Sequence, residues 1–286
     1  MQTLRNYRNT VILTFFLLLN AVIWYAVFSL SRGGVLTVAF LDVGQGDAIF
    51  IEAPNGNQVL IDGGPNKSVL RALGKMMPFY DHTIDAIVAT HPDQDHISGL
   101  VDVLNRFSVA AVFEPGVNAS TSAYQTFEKT IADKKVPHIL ARRGMRIVLD
   151  EGVYLSILFP DRDVSNTETN TASIVAQLHY GNTNVLLTGD SPQAIEKYLV
   201  SLDGKTLHSD VLKPGHHGSK TSSSFEFVAA VAPTYAVISA GGNNKYGHPH
   251  QETLDTLKRF GVSIFRTDTS GTIMFQSDGS SIYVAN

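Results

Sequence analysis

No cysteine occurs in the 286 residues, which excludes a disulfide framework, a thiolate metal site and a cysteine nucleophile. Any metal chemistry therefore has to use histidine and carboxylates, and the redox compartment is left open. Positive charge is also short. Lys plus Arg is 22 against Asp plus Glu 26, a formal charge of -4, so no global field recruits nucleic acid and a polyanion would have to be held locally. Charged residues make up only 17% of the chain against 44% hydrophobic, which rules out a solvated disordered chain. From Val35 onward there is no repeat, low-complexity tract or charge block, so one domain is expected there.

The apolar excess is concentrated near the N-terminus. Val11 to Leu30 reads VILTFFLLLNAVIWYAVFSL, about twenty residues without a charge, enough for a helix to span roughly 30 Å of hydrocarbon. The expected organisation is a tail over residues 1–10, a transmembrane helix over 11–31, a hinge at Arg32-Gly33-Gly34 and a domain over 35–286. Arg5, Arg8 and the terminal amine precede the run and only Arg32 follows closely. The positive-inside rule then puts the tail in the cytoplasm and the domain outside the cell membrane. A cleaved signal peptide is the rival, weakened by the long apolar run and the mediocre cleavage segment Ser29-Leu30-Ser31. A buried core helix is a further alternative, but the run is apolar all round.

After Val35, runs at Val35 to Leu41, Ala48 to Glu52 and Gln58 to Ile61 are separated by Gly, Asn and Pro, as in strands joined by tight turns. A helix is expected from Lys67 to Met76, a buried strand at IDAIVAT from Ile84, and a helix through ISGLVDVLNRF from Ile97. A second series mirrors the first, with strands at Val153 to Phe159, Ser173 to Leu178 and Asn184 to Leu187. Ser191-Pro192 opens a helix through Leu202. Short strands around Val211, Tyr235 to Ser239 and Val262 to Phe265 alternate with helices near Phe225 to Ala230 and Glu252 to Phe260. The expected class is α/β: two mixed sheets with helices on the outer faces.

Chemistry is densest at THPDQDH, Thr90 to His96, directly after a buried strand and before a helix. Packed without a cation, His91, Asp93, Asp95 and His96 would repel or titrate against one another, whereas a divalent metal stabilises carboxylate and neutral imidazole together. A polar turn with one capping Asp accounts for one of these residues and not for all. Asp190 ends the apolar strand of LLTGD; alone it reads as a helix cap, until a metal site needs a carboxylate from elsewhere. LKPGHHGS, Leu212 to Ser219, runs a strand into His216 and His217. Its glycines permit close backbone approach, and two adjacent imidazoles that both need partners argue against core packing. Asp42 and Asp47 read as turn or site-wall residues in a Gly-rich stretch.

Together with DVGQGDA at Asp42 to Ala48 and LIDGG at Leu60 to Gly64, these motifs resemble the metallo-β-lactamase superfamily. Within it they are similar to the metallo-hydrolase domain of ComEC-type DNA-uptake proteins, over Val35 to Tyr283. The superfamily's HxHxDH cluster is present with Asp93 at its second histidine. The resemblance implies an αββα sandwich with two divalent metals between the facing sheets. It implies that His91, Asp93 and Asp190 hold one metal, that Asp95, His96, His216 and the shared Asp190 hold the other, and that Asp62 supports the ligand loops from behind. Many relatives carry a further histidine before the Asp190 hairpin, where this chain has Asn170-Thr171-Ala172-Ser173, so the first metal is expected to be loosely held or completed by water. The oxygen of Asp93 makes that site harder than a three-histidine zinc site and shifts preference towards manganese or magnesium, with zinc an alternative. ComEC-type proteins carry a many-helix channel in the same chain, and one candidate membrane helix does not imply channel activity.

The implied activity is hydrolysis by a hydroxide bridging two ions roughly 3.5 to 4 Å apart. Asp95 is the candidate to orient it, and His217 or His248, in the family-like segment YGHPH from Tyr246, would stabilise the transition state or protonate the leaving group. Expected substrate contacts are His217, Ser219 and His248, while Ser222, Ser223 and Ser224 either bind a phosphate or start the helix at Phe225. The substrate implied is a phosphodiester, foremost DNA, cut by a membrane-tethered nuclease during uptake or in degradation of external DNA. Lys134-Lys135, Arg142-Arg143 and Arg146 are candidates to track phosphates, and Tyr124, Phe127, Phe225 and Tyr246 to stack bases, against the plainer reading of a solvated surface. Two alternatives remain open: a small-substrate phosphodiesterase or esterase of the cell envelope, and a metal-binding accessory subunit docking onto a competence channel. His82, His138, His179 and His208 have no ligand-spaced neighbours and read as surface or core residues.

Overall fold

Helix α1 (Gln2–Ser31) carries the apolar run at the N-terminus of a computed structural model that describes residues 2–31 and 34–285. Within it Asn6–Val27 is 22 residues of mean hydropathy 2.2 with 0% of its window buried. At 1.5 Å per residue that is about 33 Å of apolar helix, a candidate membrane span. The core-helix alternative fails because the rest of the chain does not cover it. Arg32 and Gly33 of the expected hinge lie outside the described residues.

The chain then forms an antiparallel meander, β1 (Leu36–Phe40), β2 (Ile49–Glu52) and β3 (Gln58–Ile61). It continues through α2 (Ser68–Met76), β4 (Thr83–Ile84), β5 (Ala86–Val88), α3 (Gln94–Arg106), β6 (Ser108–Val109), β7 (Val112–Glu114), α4 (Ser122–Lys134) and β8 (His138–Leu140). The second series starts with β9 (Arg146–Asp150), β10 (Val153–Phe159), β11 (Val175–Tyr180) and β12 (Thr183–Leu187). After α5 (Gln193–Asp203) come β13 (Val211–Lys213), α6 (Phe225–Val231), β14 (Tyr235–Ile238), α7 (Gln251–Arg259), β15 (Ser263–Arg266) and α8 (Thr267–Ser270). The hairpin β16 (Ile273–Ser277) and β17 (Ile282–Ala285) closes the described chain.

One eight-stranded sheet has the order β17-β16-β1-β2-β3-β5-β7-β8 and one seven-stranded sheet the order β15-β14-β13-β12-β11-β10-β9. Residues with alternating burial, as in Val153, Leu155 and Ile157 of β10, face the other sheet and meet Val38, Phe40, Ile51 and Ile61 in a shared core. The outer face of the first sheet is covered by α2, α3 and α4 through Leu73, Leu100, Phe127 and Ile131. The outer face of the second is covered by α5, α6 and α7 through Leu199, Phe227 and Leu257. This is the expected αββα sandwich.

In each sheet a run of strands is parallel: β3, β5, β7 and β8 in one, and β12, β13, β14 and β15 in the other. Parallel strands end on one edge, so the loops that follow them gather there, the usual place for ligands in such sheets. Pairing of Ile61 with Val88 and of Leu187 with Lys213 fixes which loops become neighbours.

Several expectations shift. The strand read from Ile84 is broken into β4 and β5 at Asp85, whose Oδ2 accepts from Gln58 N. The strand read from Ser173 begins at Val175, because Ser173 closes a turn onto Asn170 O. Helix α4 and strands β7, β8, β9, β16 and β17 were not anticipated, since their apolar runs are short or broken by charge.

Candidate metal centre

The site is assembled from four strand ends and the start of one helix. Asp62 follows β3, Thr90 and His91 follow β5, Asp95 and His96 open α3, Asp190 follows β12, and Lys213, His216 and His217 follow or end β13. Asp190 Oδ2 lies 3.4 Å from His96 Nε2, 3.5 Å from His217 Nε2, and 3.9 Å from the Nε2 of both His91 and His216. Two atoms bound at 2.0–2.1 Å to one tetrahedral cation are about 3.3 Å apart. These spacings are long for hydrogen bonds and close to those of a shared ion. Asp93 Oδ2 is 3.8 Å from His91 Nε2, and Asp95 Oδ2 is 3.2 Å from His217 Nε2. The Nε2 atoms of His91, His96 and His217 are buried and lack an aligned hydrogen-bond partner. A buried lone pair without a partner is costly unless a cation takes it, so this donor set fits a divalent metal.

The other nitrogen of each ring is anchored, which aims Nε2 inwards. His96 Nδ1 donates to Asp62 Oδ2 at 2.7 Å. Thr90 Oγ1 donates to the same carboxylate and faces His91 Nδ1 at 3.0 Å, while Thr90 N donates to Asp62 Oδ1. His217 Nδ1 lies 2.9 Å from Ser239 O. Such outer contacts fix tautomer and ring orientation in metal sites. Asp62 itself adopts φ 57 and His217 φ 53, left-handed conformations that non-glycine residues reach only under tertiary constraint. Gly46 is required by contact: a Cβ there would lie 2.1 Å from Asp95 O.

Charge is concentrated, and on Asp190, His96, His217 and Lys213 it is buried. Burial opposes ionisation of Asp190, yet His217, His96 and Lys213 hold its pKa well below the usual carboxylate range. Burial likewise works against Asp95, but its contacts with His217 and His96 hold it at about 2. Burial alone would discharge His217; Asp190 and Asp47 instead raise it to about 9. His91, buried and beside cationic His96, is pushed down to about 3 and stays neutral. Without a metal, protons on His96 and His217 balance the carboxylates.

Two residues of this network escaped the sequence reading of ligands. Asp47, taken as a turn or wall residue, is 1% exposed and groups with His96, Asp190 and His217. Lys213 is fully buried, pairs tightly with Asp47 and donates to Gly189 O at 2.6 Å. The available signal was the lysine ending VLK, a strand with every residue buried.

The remaining candidates separate. His216 stands at the rim with 31% of its side chain exposed, whereas its neighbour His217 is at the centre with 1%. His248, 8% exposed, packs beside His216, its ring centroid 5.2 Å away and its backbone clasped by Asn244. Burial and neighbouring His216 lower its pKa to about 4. The phosphate reading of Ser223 and Ser224 fails, because their backbone N–H groups already donate to buried Glu196 at 2.5 and 2.7 Å. Ser222 Oγ donates to Gly215 O, and Ser219 Oγ accepts from Thr221, so both hydroxyls shape the loop. Ser173 Oγ accepts from Asp190 N.

The basic clusters are largely spent. Arg143 forks onto Asp203, Arg142 donates to Pro115 O, and Arg146 covers the Tyr154 ring. Phe127 is core and Tyr124 bonds Glu114, so neither stacks a base, and Phe225 packs on Phe260. His138 faces Glu114, His179 stacks on Tyr154, His208 bonds Val231 O and His82 packs on Phe107, all apart from the metal cluster.

Comparison with known proteins agrees with this geometry. Residues 41–242 match the metallo-beta-lactamase superfamily. The chain is 32% identical over 256 residues to ComE operon protein 3 of Bacillus subtilis (strain 168), covering 84% of this chain and 33% of that protein. It is 30% identical over 242 residues to Competence protein ComA of Neisseria gonorrhoeae, covering 83% of this chain and 32% of that protein. The chain thus spans about a third of the length of these relatives. In fold it is similar to the metallo-beta-lactamase fold protein YhfI from Bacillus subtilis, with a TM-score of 0.58 at 12% identity, covering 85% of this chain and 100% of that one. With the sandwich, the strand-end Asp/His cluster and the family match in agreement, the chain belongs to the metallo-beta-lactamase superfamily.

Proposed function

We propose that this protein is a membrane-anchored, binuclear metal-dependent phosphodiesterase that cuts DNA, either during DNA uptake or in degrading external DNA. The carrying observation is the convergence of imidazole Nε2 atoms on one oxygen of Asp190. His91, Asp93 and Asp190 would hold one cation, and Asp95, His96 and Asp190 the other. His217, buried beside Asp190 and Asp95, takes the ligand place that the family pattern assigned to His216. Divalent cations bound there supply an acidified water and offset charge on the oxygens of the phosphodiester; with Asp93 in the set, manganese is preferred to zinc.

The protein's own groups do the rest. Asp95, held ionised by its contacts with His217 and His96, would accept a hydrogen bond from the water at a carboxylate oxygen and orient it. His216 stands at the rim with neutral His248 packed beside it, 8% exposed and with its Nδ1 buried and unpartnered, and the two rings would approach the scissile phosphate and the leaving oxygen. The DNA assignment is supported by the relative named Competence protein ComA. The domain over 35–286 would lie outside the cell, tethered by the helix over 11–31, with Arg5 and Arg8 retained inside.

The test is incubation of the full chain in detergent with linear single- and double-stranded DNA, Mn²⁺ and an EDTA control. Nicks or short fragments that disappear with EDTA and in Asp190→Ala support the reading. Intact DNA alongside cleavage of bis-p-nitrophenyl phosphate would instead assign a small substrate.

A further inference from the structure

We propose that the cleft beside the metal centre is a subsite for a single unpaired nucleobase, with Tyr246 as its stacking platform, so that the enzyme prefers single-stranded DNA. The inference rests on the DNA-cutting reading above and specifies its substrate. The cleft is about 440 Å³ and is lined by Gln45, Asn66, Gln94, Asp95, Lys245 and Tyr246 among others. That is the size class of small-ligand pockets, not of a duplex. Asp95 connects it to the candidate metal ligands.

Its chemistry suits a base more than a polyphosphate. Gln45, Asn66 and Gln94 each carry a carboxamide, which offers a donor and an acceptor as base edges require. Gln45 Oε1 accepts from Gly241 N at 3.0 Å, which fixes the carboxamide, and its buried Nε2 has no partner. Lys245 is the one cation of the lining, and Asp95 at the metal end would repel a second phosphate within the cleft. Tyr246 is 54% exposed, and its ring is held by stacking on His248 at 5.7 Å and 23° and by Lys245 Nζ 5.2 Å from its centroid. The loop carrying it is fixed by Asn244, which donates to Gly241 O and His248 O and accepts from His248 N. A held, half-exposed aromatic beside a cation and amides is the usual platform for an unpaired base, whose π-face must be free. In a duplex both faces are covered by neighbouring bases, and extrusion costs free energy.

The test uses the full chain in detergent with Mn²⁺ and a fluorescein-labelled, phosphorothioate-linked single-stranded hexadeoxynucleotide, read by anisotropy beside its duplex form. The expected result is tighter binding of the single strand by the unmodified protein and by Tyr246→Phe, and a roughly tenfold or greater loss in Tyr246→Ala for the single strand alone. Undiminished binding by Tyr246→Ala, an equal loss in Tyr246→Phe, or no single-strand binding overturns the subsite. If ordinary DNA is cut while binding is indifferent to Tyr246, the subsite falls and the nuclease reading stands. If binding depends on Tyr246 as expected but no DNA is cut, the nuclease reading falls and the base subsite stands.

Discussion

The ammonium of Lys213 lies 3.5 Å from Asp190 Oδ1, while the imidazoles gather on Oδ2 of the same carboxylate. The two oxygens therefore face different neighbours, and Oδ1 is buried without a hydrogen-bond partner. Lys213 also pairs with Asp47, so it holds two buried carboxylates at fixed positions. Removing one partner of a buried ion network leaves uncompensated charge and costs about 3–5 kcal/mol. Lys213→Met is expected to lose that much stability in EDTA, measured by urea unfolding, and to recover part of it with Mn²⁺, because bound cations offset the same carboxylates. A loss comparable to a surface substitution, below about 0.5 kcal/mol, would show that Lys213 is not a structural counter-charge.

Asp190→Ala should lose hydrolysis and metal content together, since the two cation sites proposed above share this carboxylate. Elemental analysis of the variant beside the unmodified protein checks this, and a variant with full metal content would contradict a bridging role. Asp93→His restores the second histidine of the superfamily cluster and should shift preference from manganese towards zinc by exchanging a hard oxygen for an imidazole.

Metal binding should compete with protons. His217 is raised to about 9 from 6.5 by Asp190 and Asp47 against the cost of its burial. A raised folded-state value means that the proton stabilises the metal-free fold fully below about pH 6.5, and that this stability is lost as pH rises through about 9. The melting temperature in EDTA should therefore fall over that window, whereas the metal-loaded protein should stay flat because Nε2 no longer carries the proton. Apparent affinity for Mn²⁺ should rise by about tenfold per pH unit over the same window for each proton displaced. A pH-independent affinity would exclude His217 as a ligand.

Glu196, 1% exposed, receives the backbone N–H groups of Ser223 and Ser224. Burial raises its pKa from 4.5 to about 7 despite those contacts. The folded state then favours the protonated acid, so stability is greatest below the unfolded value and falls by about 3 kcal/mol as pH rises from 4.5 to 7. Glu196→Gln retains an acceptor and removes the ionisation, and should flatten this part of the stability profile. An unchanged slope in thermal melts from pH 4.5 to 7.5 would assign it to other groups.

Much of the architecture was legible because its signals are local. The period-two burial of β10 and the buried runs of β3 and β12 mark strands wherever they occur, and the helices of the outer layers show one apolar face. Strands β7 and β8 are three residues each and take their place from parallel neighbours. No short window could announce them. The phosphate reading of Ser223 and Ser224 failed for a similar reason: the helix start was recognisable, but the carboxylate that occupies it comes from α5.

By itself the sequence determined the ligand chemistry, histidines and carboxylates at strand ends without any thiolate, and the uncharged N-terminal run long enough for a bilayer. Both follow from residue type and spacing within one segment. Tertiary structure alone decided that Asp47 and Lys213 join the buried cluster, that His217 is buried at its centre while His216 stands at its rim, and that the arginine pair is spent on Asp203 and a carbonyl. Those choices depend on strand registers that bring distant loops to one edge of two facing sheets, and on the free energy of burying charge, neither of which is written in any local stretch of chain.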